Sequence, residues 1–159
     1  RYYEEEGRAE LTPRDFGILM HRVFENAATT DEIYTAIEAM TQDGVLNEKE
    51  APRLRELVEK ALADPVTAEW FGGRWQVVRN ENEIILPGSG TTRRPDRVMT
   101  DGERAVVVDY KFGDRETARH RKQIREYLHL LRQMGYTRTE GYLWYVRLGR
   151  TERVEEKED

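Results

Sequence analysis

The first half of the chain carries apolar residues at intervals of three and four positions, a spacing that predicts amphipathic helices. In one of these segments Leu54, Leu57 and Val58 form a single stripe. Residue pairs that open or close helices mark the ends, as Thr12-Pro13 does at the start of the first. The helices are predicted at about 12–26, from the Thr30 cap to about 43, at about 47–64, and over a short turn that ends at residue 70.

From residue 74 onward the pattern changes to short segments rich in β-branched and aromatic residues. Strands are predicted at 74–79, 83–86, 92–99, 104–112 and 142–148, and a long helix at 116–134 ends at the cap residue Gly135. Between two of the strands stands Asp101-Gly102, a strong hairpin signal.

This order of elements predicts a single α+β domain over residues 1–150. Its helical portion would span 12–71 and its α/β core 74–148, with a mixed sheet if the last strand runs parallel to its neighbour. The acidic segment 151–159 is expected to be a disordered tail.

Composition narrows the class of protein. The 159 residues include no cysteine, which excludes disulfides, thiolate zinc sites and iron–sulfur clusters and agrees with a cytoplasmic location. No apolar run approaches membrane-spanning length, and the chain starts at Arg1, so we expect a soluble piece of a longer polypeptide. The net charge of −5 is uneven: residues 1–70 hold 8 basic and 16 acidic side chains, whereas 91–125 hold 10 basic and 6 acidic. The candidate chemistry lies in this basic block.

Charged residues follow a buried strand in the segment VVVDYKFG, residues 106–113. If Asp101-Gly102 is a two-residue turn, Asp96 faces Val107, and Asp109 and Lys111 share that side of the sheet. Asp96 and Asp109 are then diagonal neighbours about 7–8 Å apart, close enough for their carboxylates to hold one divalent cation. Two alternatives remain open: a surface ion pair at the strand end, or neutralisation of the carboxylates by Arg94 and Arg97.

Together these residues resemble a known family. Pro95-Asp96, followed after twelve residues by Asp109-Tyr110-Lys111, is similar to the core motif of the PD-(D/E)XK nuclease superfamily. Gln123 and Tyr127 match the Q-x-x-x-Y motif of RecB-type nuclease domains, and Gly17 to His21 resembles their G-x-x-x-H helix. The chain departs from the family in two ways: it reads Arg94-Pro95-Asp96 where the family often has G-x-(I/V)-D, and it lacks the four cysteines of the cluster-bearing relatives.

The resemblance implies a restriction-endonuclease-like fold and a Mg²⁺- or Mn²⁺-dependent deoxyribonuclease, expected to be an exonuclease that processes DNA ends in recombinational repair. The implied metal ligands are His21, Asp96, Asp109 and the carbonyl of Tyr110. Lys111 would position water or stabilise the transition state, and Gln123 and Tyr127 would orient Lys111 or the DNA backbone. Tyr127 could equally be a core residue, since it lies on the apolar stripe of its helix.

The resemblance also implies partners. DNA is one of them, and the candidates for phosphate contacts come from the basic segment of the chain: Arg94, Arg119, Arg121, Lys122 and Arg125. The other partners would be the helicase portion of the same polypeptide and a second helicase–nuclease subunit, with no membrane involved. The alternatives are a non-catalytic module that binds DNA or a partner subunit with the same fold, and an unrelated α+β interaction domain.

Overall fold

Four helices occupy the first half of the chain, as the sequence predicts. The structure is a computed structural model, and it describes residues 13–80, 84–85, 92–93, 95–111 and 117–156. They are α1 (Pro13–Phe24), α2 (Thr30–Gln42), α3 (Glu50–Ala61) and α4 (Pro65–Trp70). Two of the starts are set by capping side chains. Asn47 Oδ1 accepts the N–H of Glu50 at 2.7 Å before α3, and Asp64 Oδ1 accepts the N–H of Val66 at 2.9 Å before α4.

The start of α2 is a capping box, centred one residue earlier than predicted. Thr29 Oγ1 accepts the N–H of Glu32 at 3.3 Å, and Glu32 Oε1 accepts the N–H of Thr29 at 3.3 Å. Thr30, the predicted cap, instead directs its hydroxyl to the carbonyl oxygen of Phe71 at 3.4 Å. That contact joins the start of α2 to the residue that follows α4.

The second half of the chain builds a mixed sheet and one further helix. The elements are β1 (Val77–Asn80), β2 (Ile84–Ile85), β3 (Thr92–Arg93), β4 (Arg97–Asp101), β5 (Arg104–Lys111), α5 (Thr117–Gln133), β6 (Arg138–Tyr145) and β7 (Arg150–Val154). Five strands pair in the order β1-β4-β5-β6-β7, while β2 and β3 form a separate two-stranded ribbon. Strand β6 runs parallel to β5 and all other pairs are antiparallel. The predicted α+β class with a mixed sheet is therefore confirmed.

The last strand, β7, corrects the sequence prediction. Residues 151–154, expected to be disordered, pair antiparallel with β6, so the sheet extends beyond the predicted limit of 148. Strand β6 itself lies earlier than predicted, and a 3₁₀ turn at Val146–Leu148 connects the two. The sequence does not predict this strand because β7 is an edge strand, where charged side chains are common, and only Val154 is buried in it. Residues 157–159 of the predicted tail lie outside the described residues.

Both faces of the sheet are covered, which explains the run of valines in β5. Val106, Val108 and Tyr110 pack in a core with side chains from α1 to α4, as the predicted alternation requires. Val107 lies on the opposite face, in a second core with side chains from α5. The sheet thus separates a layer of four helices from a layer formed by α5.

Helix α5 packs very closely on β6. A Cβ atom placed on Gly141 would stand 2.4 Å from Cγ2 of Ile124 and 3.1 Å from Cδ1 of Leu128, so only glycine fits there. The helix ends as predicted at Gly135, which has φ +108, and the N–H of Tyr136 donates to the carbonyl of Leu131 at 3.1 Å.

An arginine holds the far end of β5, away from Asp109. Arg104 donates through Nη1 to Glu69 of α4 at 2.7 Å and through Nε to Glu140 of β6 at 3.0 Å. Burial alone would raise the pKa of Glu140, but the hydrogen bonds and charge of Arg104 outweigh it and the pKa is lowered.

In the described part of the chain, no helix combines the length and apolar character needed to cross a membrane.

Candidate active site

The hairpin of β4 and β5 has a different register from the predicted one, and the difference preserves the face of every residue. Asp101 pairs with Arg104 and Arg97 with Val108, so the turn residues are Gly102 and Glu103. Gly102 has φ +63 and takes the first central position of the turn, where a primed hairpin turn accepts it. The resulting shift is two residues, and because side chains alternate with period two, Asp96 stays on the side of Asp109.

If this register is continued by one pair beyond Arg97 and Val108, Asp96 lies directly opposite Asp109. The N–H of Asp96 donates to Oδ1 of Asp109 at 3.2 Å, and the N–H of Tyr110 donates to Oδ2 of Asp96 at 2.7 Å. The ladder itself stops at Arg97, so these carboxylates continue the pairing of the strands beyond its last residue. Each aspartate is held by the backbone of the other's strand.

His21 approaches the aspartates from α1. Its Nδ1 lies 3.9 Å from Oδ1 of Asp96, and its ring packs on Tyr110 with 5.6 Å between ring centroids. The His21 side chain is 34% exposed and that of Asp96 is 18% exposed, so solvent reaches this contact. Residues from α1, from the segment before β4 and from β5 therefore meet at one end of the sheet.

The donor chemistry here suits a hard divalent cation. Carboxylate and carbonyl oxygens are preferred ligands of Mg²⁺, and imidazole is compatible with Mn²⁺. The separation of His21 and Asp96 is too long for a hydrogen bond but within the span of two ligand bonds of about 2.1 Å each. Among the described residues no three His, Asp or Glu side chains already converge at metal-binding distance. One N–H bond to Oδ1 leaves the Asp109 carboxylate with further acceptor sites for a cation.

Lys111 ends β5, two residues after Asp109. Its side chain is 5% exposed, a degree of burial that is rare for lysine. Lys111 is aligned with Tyr145 of the parallel strand β6. Burial to this degree restricts the rotamers that the Lys111 side chain can adopt.

Helix α5 places Gln123 and Tyr127 on successive turns. Gln123 is half-buried, whereas Tyr127 is 2% exposed and packs with Val107 and Leu143 in the core beneath α5. This burial supports the interpretation of Tyr127 as a core residue, and a role for its hydroxyl remains a prediction.

The predicted DNA-binding residues differ in their surroundings. Arg94 lies outside the described residues. Arg119 and Lys122 are exposed on α5, and Arg125 is half-buried there. Arg121 forms a two-pronged ion pair with Glu152 of β7, with 3.0 Å from Nη2 to Oε1. The bond from Arg121 lowers the pKa of Glu152, so the charge of Arg121 is balanced within the protein.

Sequence reasoning missed the place of Arg97, the first residue of β4. Its side chain is completely buried on the face opposite Asp96, and burial lowers its pKa. The guanidinium lies 3.9 Å from the ring centre of Phe71 and bonds to backbone carbonyls, so it does not neutralise Asp96 or Asp109. Nothing local in the sequence indicates this, since the acceptors lie far away along the chain.

Comparison with known proteins identifies the family of the chain. A search of curated proteins finds no match. A family model described as the PD-(D/E)XK nuclease superfamily matches residues 1–159, the whole chain. The chain therefore belongs to the PD-(D/E)XK nuclease superfamily, and its mixed five-stranded sheet flanked by helices is the restriction-endonuclease-like fold of that superfamily.

Proposed function

We propose that the protein is a divalent-metal-dependent deoxyribonuclease that hydrolyses phosphodiester bonds, with its active site at His21, Asp96, Asp109 and Lys111. The observation that carries the proposal is the position of Asp96. Oδ1 of Asp96 lies 3.9 Å from Nδ1 of His21, and Oδ2 of Asp96 accepts the N–H of Tyr110 at 2.7 Å. One side chain therefore lies between α1 and the end of β5. Membership of a nuclease superfamily agrees with this chemistry.

The metal would be held by the carboxylates of Asp96 and Asp109, by His21 and by the carbonyl of Tyr110. When bound, Mg²⁺ or Mn²⁺ supplies an activated water and shields the charge of the phosphate. Lys111 would act as a positioned cation at the scissile phosphate, because its ammonium group stabilises negative charge that develops there. Gln123 would orient Lys111 or the DNA backbone from α5, as would Tyr127 if its hydroxyl is engaged.

The finer identity rests on the remaining motifs. Gln123 with Tyr127, and Gly17 with His21, have the spacing of RecB-type nuclease domains. On this basis we assign the chain to an exonuclease that processes DNA ends in recombinational repair. Its partners would be a helicase portion of the same polypeptide and a second helicase–nuclease subunit.

The test is cleavage of linear and of covalently closed circular DNA with Mg²⁺, with Mn²⁺ and with EDTA. We expect metal-dependent cleavage of linear DNA only, and a loss of at least about 10²-fold in Asp109→Ala. Asp101→Ala, which removes an exposed carboxylate at the hairpin tip, is the matched control. Cleavage in EDTA, or full activity of Asp109→Ala, contradicts the active-site assignment; cleavage of circular DNA contradicts only the exonuclease assignment.

A second candidate function is a non-catalytic module that binds DNA or a partner subunit with the same fold. The net charge of −5 and the engagement of Asp109 with a backbone N–H favour this alternative. It predicts DNA binding without cleavage in any divalent metal, and calorimetry would then detect no Mn²⁺ binding.

A further inference from the structure

Arg97 is a buried cation placed directly after the candidate metal ligand Asp96. The two residues point in opposite directions, because side chains alternate along the chain as it enters β4. Asp96 reaches the candidate active site, whereas Arg97 enters the core beneath the helical layer, where it is 0% exposed. Fixing the Arg97 side chain therefore also fixes the start of β4, where Asp96 lies.

The guanidinium of Arg97 is satisfied by oxygens that come from three different parts of the fold. Nη1 donates to Ala27 O at 2.7 Å and Asn80 Oδ1 at 3.2 Å, and Nη2 donates to Ala28 O at 3.0 Å and Trp70 O at 2.7 Å. A planar fork can serve several acceptors at once, which the single ammonium of lysine cannot do in this geometry. A buried carbonyl left without its donor loses the hydrogen bond and keeps the cost of its desolvation.

Two of these acceptors belong to the segment that follows α1. The N–H of Ala27 donates to the carbonyl of Phe24, the last residue of α1, at 3.1 Å, so the segment is continuous with the helix end. His21 lies three residues before Phe24, within the last turn of α1. Arg97 thus ties the end of the helix that carries His21 to the strand that begins beside Asp96.

We propose that Arg97 is a positioning residue of the metal site, which sets the separation between His21 and Asp96 by joining the end of α1 to the start of β4. Arg97 touches neither metal nor substrate. The inference rests on the proposed function only for the claim that His21 and Asp96 bind metal, and the separation itself can be measured in metal-free protein.

The experiment compares Arg97→Lys with wild type and with Leu54→Ala. Leu54→Ala is a control for lost stability, because Leu54 is a fully buried residue of α3, outside the active site. The readouts are Mn²⁺ affinity by calorimetry and the NMR signals of the His21 ring without metal, both measured well below the melting temperature. We expect Arg97→Lys to weaken Mn²⁺ binding by at least about tenfold and to shift the His21 signals. Leu54→Ala should lower the melting temperature with Mn²⁺ affinity and His21 signals unchanged.

A milder pair of variants serves if Arg97→Lys does not fold. Asn80→Ala removes one acceptor of Arg97, whereas Asn80→Asp keeps an oxygen in that place. We expect Asn80→Ala to weaken Mn²⁺ binding in the same direction and Asn80→Asp to restore it. The inference is overturned if Arg97→Lys has the same His21 signals and the same Mn²⁺ affinity as wild type. Where Asn80→Ala replaces Arg97→Lys, the same result in Asn80→Ala overturns it. If wild type itself binds no Mn²⁺, the proposed function fails, and the His21 signals alone decide the role of Arg97.

Discussion

At the scale of single residues, neighbours in sequence serve opposite sides of the sheet. Asp109 and Lys111 alternate with Val108 and Tyr110, so one strand supplies candidate active-site groups and core contacts together. This alternation could be predicted from the sequence, because it depends only on the period of a strand. The surroundings of Arg97 could not, because its carbonyl acceptors at Ala27 and Ala28 are about 70 residues away along the chain.

A substitution of Lys111 separates catalysis from metal binding. Lys111→Met keeps the length and apolar part of a side chain that is 5% exposed but removes its charge. We expect kcat to fall by about 10²-fold or more, because the phosphate loses a fixed cation, while Mn²⁺ affinity is retained or increases. Steady-state kinetics and calorimetry measure the two quantities. The control is Lys60→Met on the exposed surface of α3, and equal kcat in both variants would contradict a catalytic Lys111.

A substitution of Gly141 tests the close packing of α5 on β6. Gly141→Ala places a methyl group 2.4 Å from Cγ2 of Ile124, and we expect a loss of about 1–3 kcal/mol in the free energy of unfolding. Chemical denaturation measures the loss. Ile124→Leu removes the branch at Cβ that causes the clash, so the double variant should recover part of the stability. Strictly additive losses in the double variant would contradict this explanation.

At the scale of elements, the helices and the parallel pair followed from pattern and order, whereas β7 did not. Amphipathic stripes identify helices because one face of each must be buried. An edge strand such as Arg150–Val154 has mostly charged residues, and its partner comes from tertiary contacts. The hairpin register was missed for a related reason: Asp101-Gly102 identifies a turn, but not which of its residues take the two central positions.

The pairing of α5 with β7 also decides which basic residues of α5 could reach DNA. Arg121 is held by Glu152, whereas Arg119 and Lys122 are exposed on the helix surface. We expect Arg119→Gln and Lys122→Gln to weaken DNA binding. The slope of the logarithm of the binding constant against the logarithm of salt concentration should become less steep, by about 0.9 for each duplex phosphate that the protein no longer neutralises. Arg121→Gln should leave that slope unchanged and lower the melting temperature slightly. Binding titrations at several salt concentrations measure the slope, and equal slopes in all three variants would contradict the assignment.

At the scale of the whole molecule, charge is distributed unevenly along the chain. Residues 1–70, which include the four helices α1 to α4, have twice as many acidic as basic side chains, whereas residues 91–125, which include Asp96, Asp109 and Lys111, have an excess of basic ones. An excess of basic side chains attracts a polyanion such as DNA only where those side chains reach the surface. In this segment Arg97 is buried and Arg121 is paired with Glu152, whereas Arg119 and Lys122 are exposed on α5.

The whole molecule should lose stability in acid through two glutamates that form ion pairs with arginines, Glu140 with Arg104 and Glu152 with Arg121. Arg121 lowers the pKa of Glu152, and the pKa of Glu140 is also lowered because Arg104 outweighs the effect of burial. A carboxyl whose pKa is lower in the folded state contributes stability above the unfolded value of 4.5, and that contribution disappears as pH falls below it. Protonation removes the charge of both glutamates. Glu140 then loses its attraction to Arg104 between β6 and β5, and Glu152 loses its attraction to Arg121 between β7 and α5.

We therefore expect the melting temperature of wild type to fall between pH 7 and pH values below about 4.5, with part of the fall due to these two residues. Glu140→Gln and Glu152→Gln should each be less stable than wild type at pH 7 and lose less on acidification, because the neutral amide has no proton to take up. Glu38→Gln, on the exposed face of α2, should follow the wild-type curve. The two pairs are partly exposed, so each effect should be at most about 1 kcal/mol. If all four proteins lose stability in parallel, other carboxylates cause the acid sensitivity and the ion pairs of Arg104 and Arg121 are not its source.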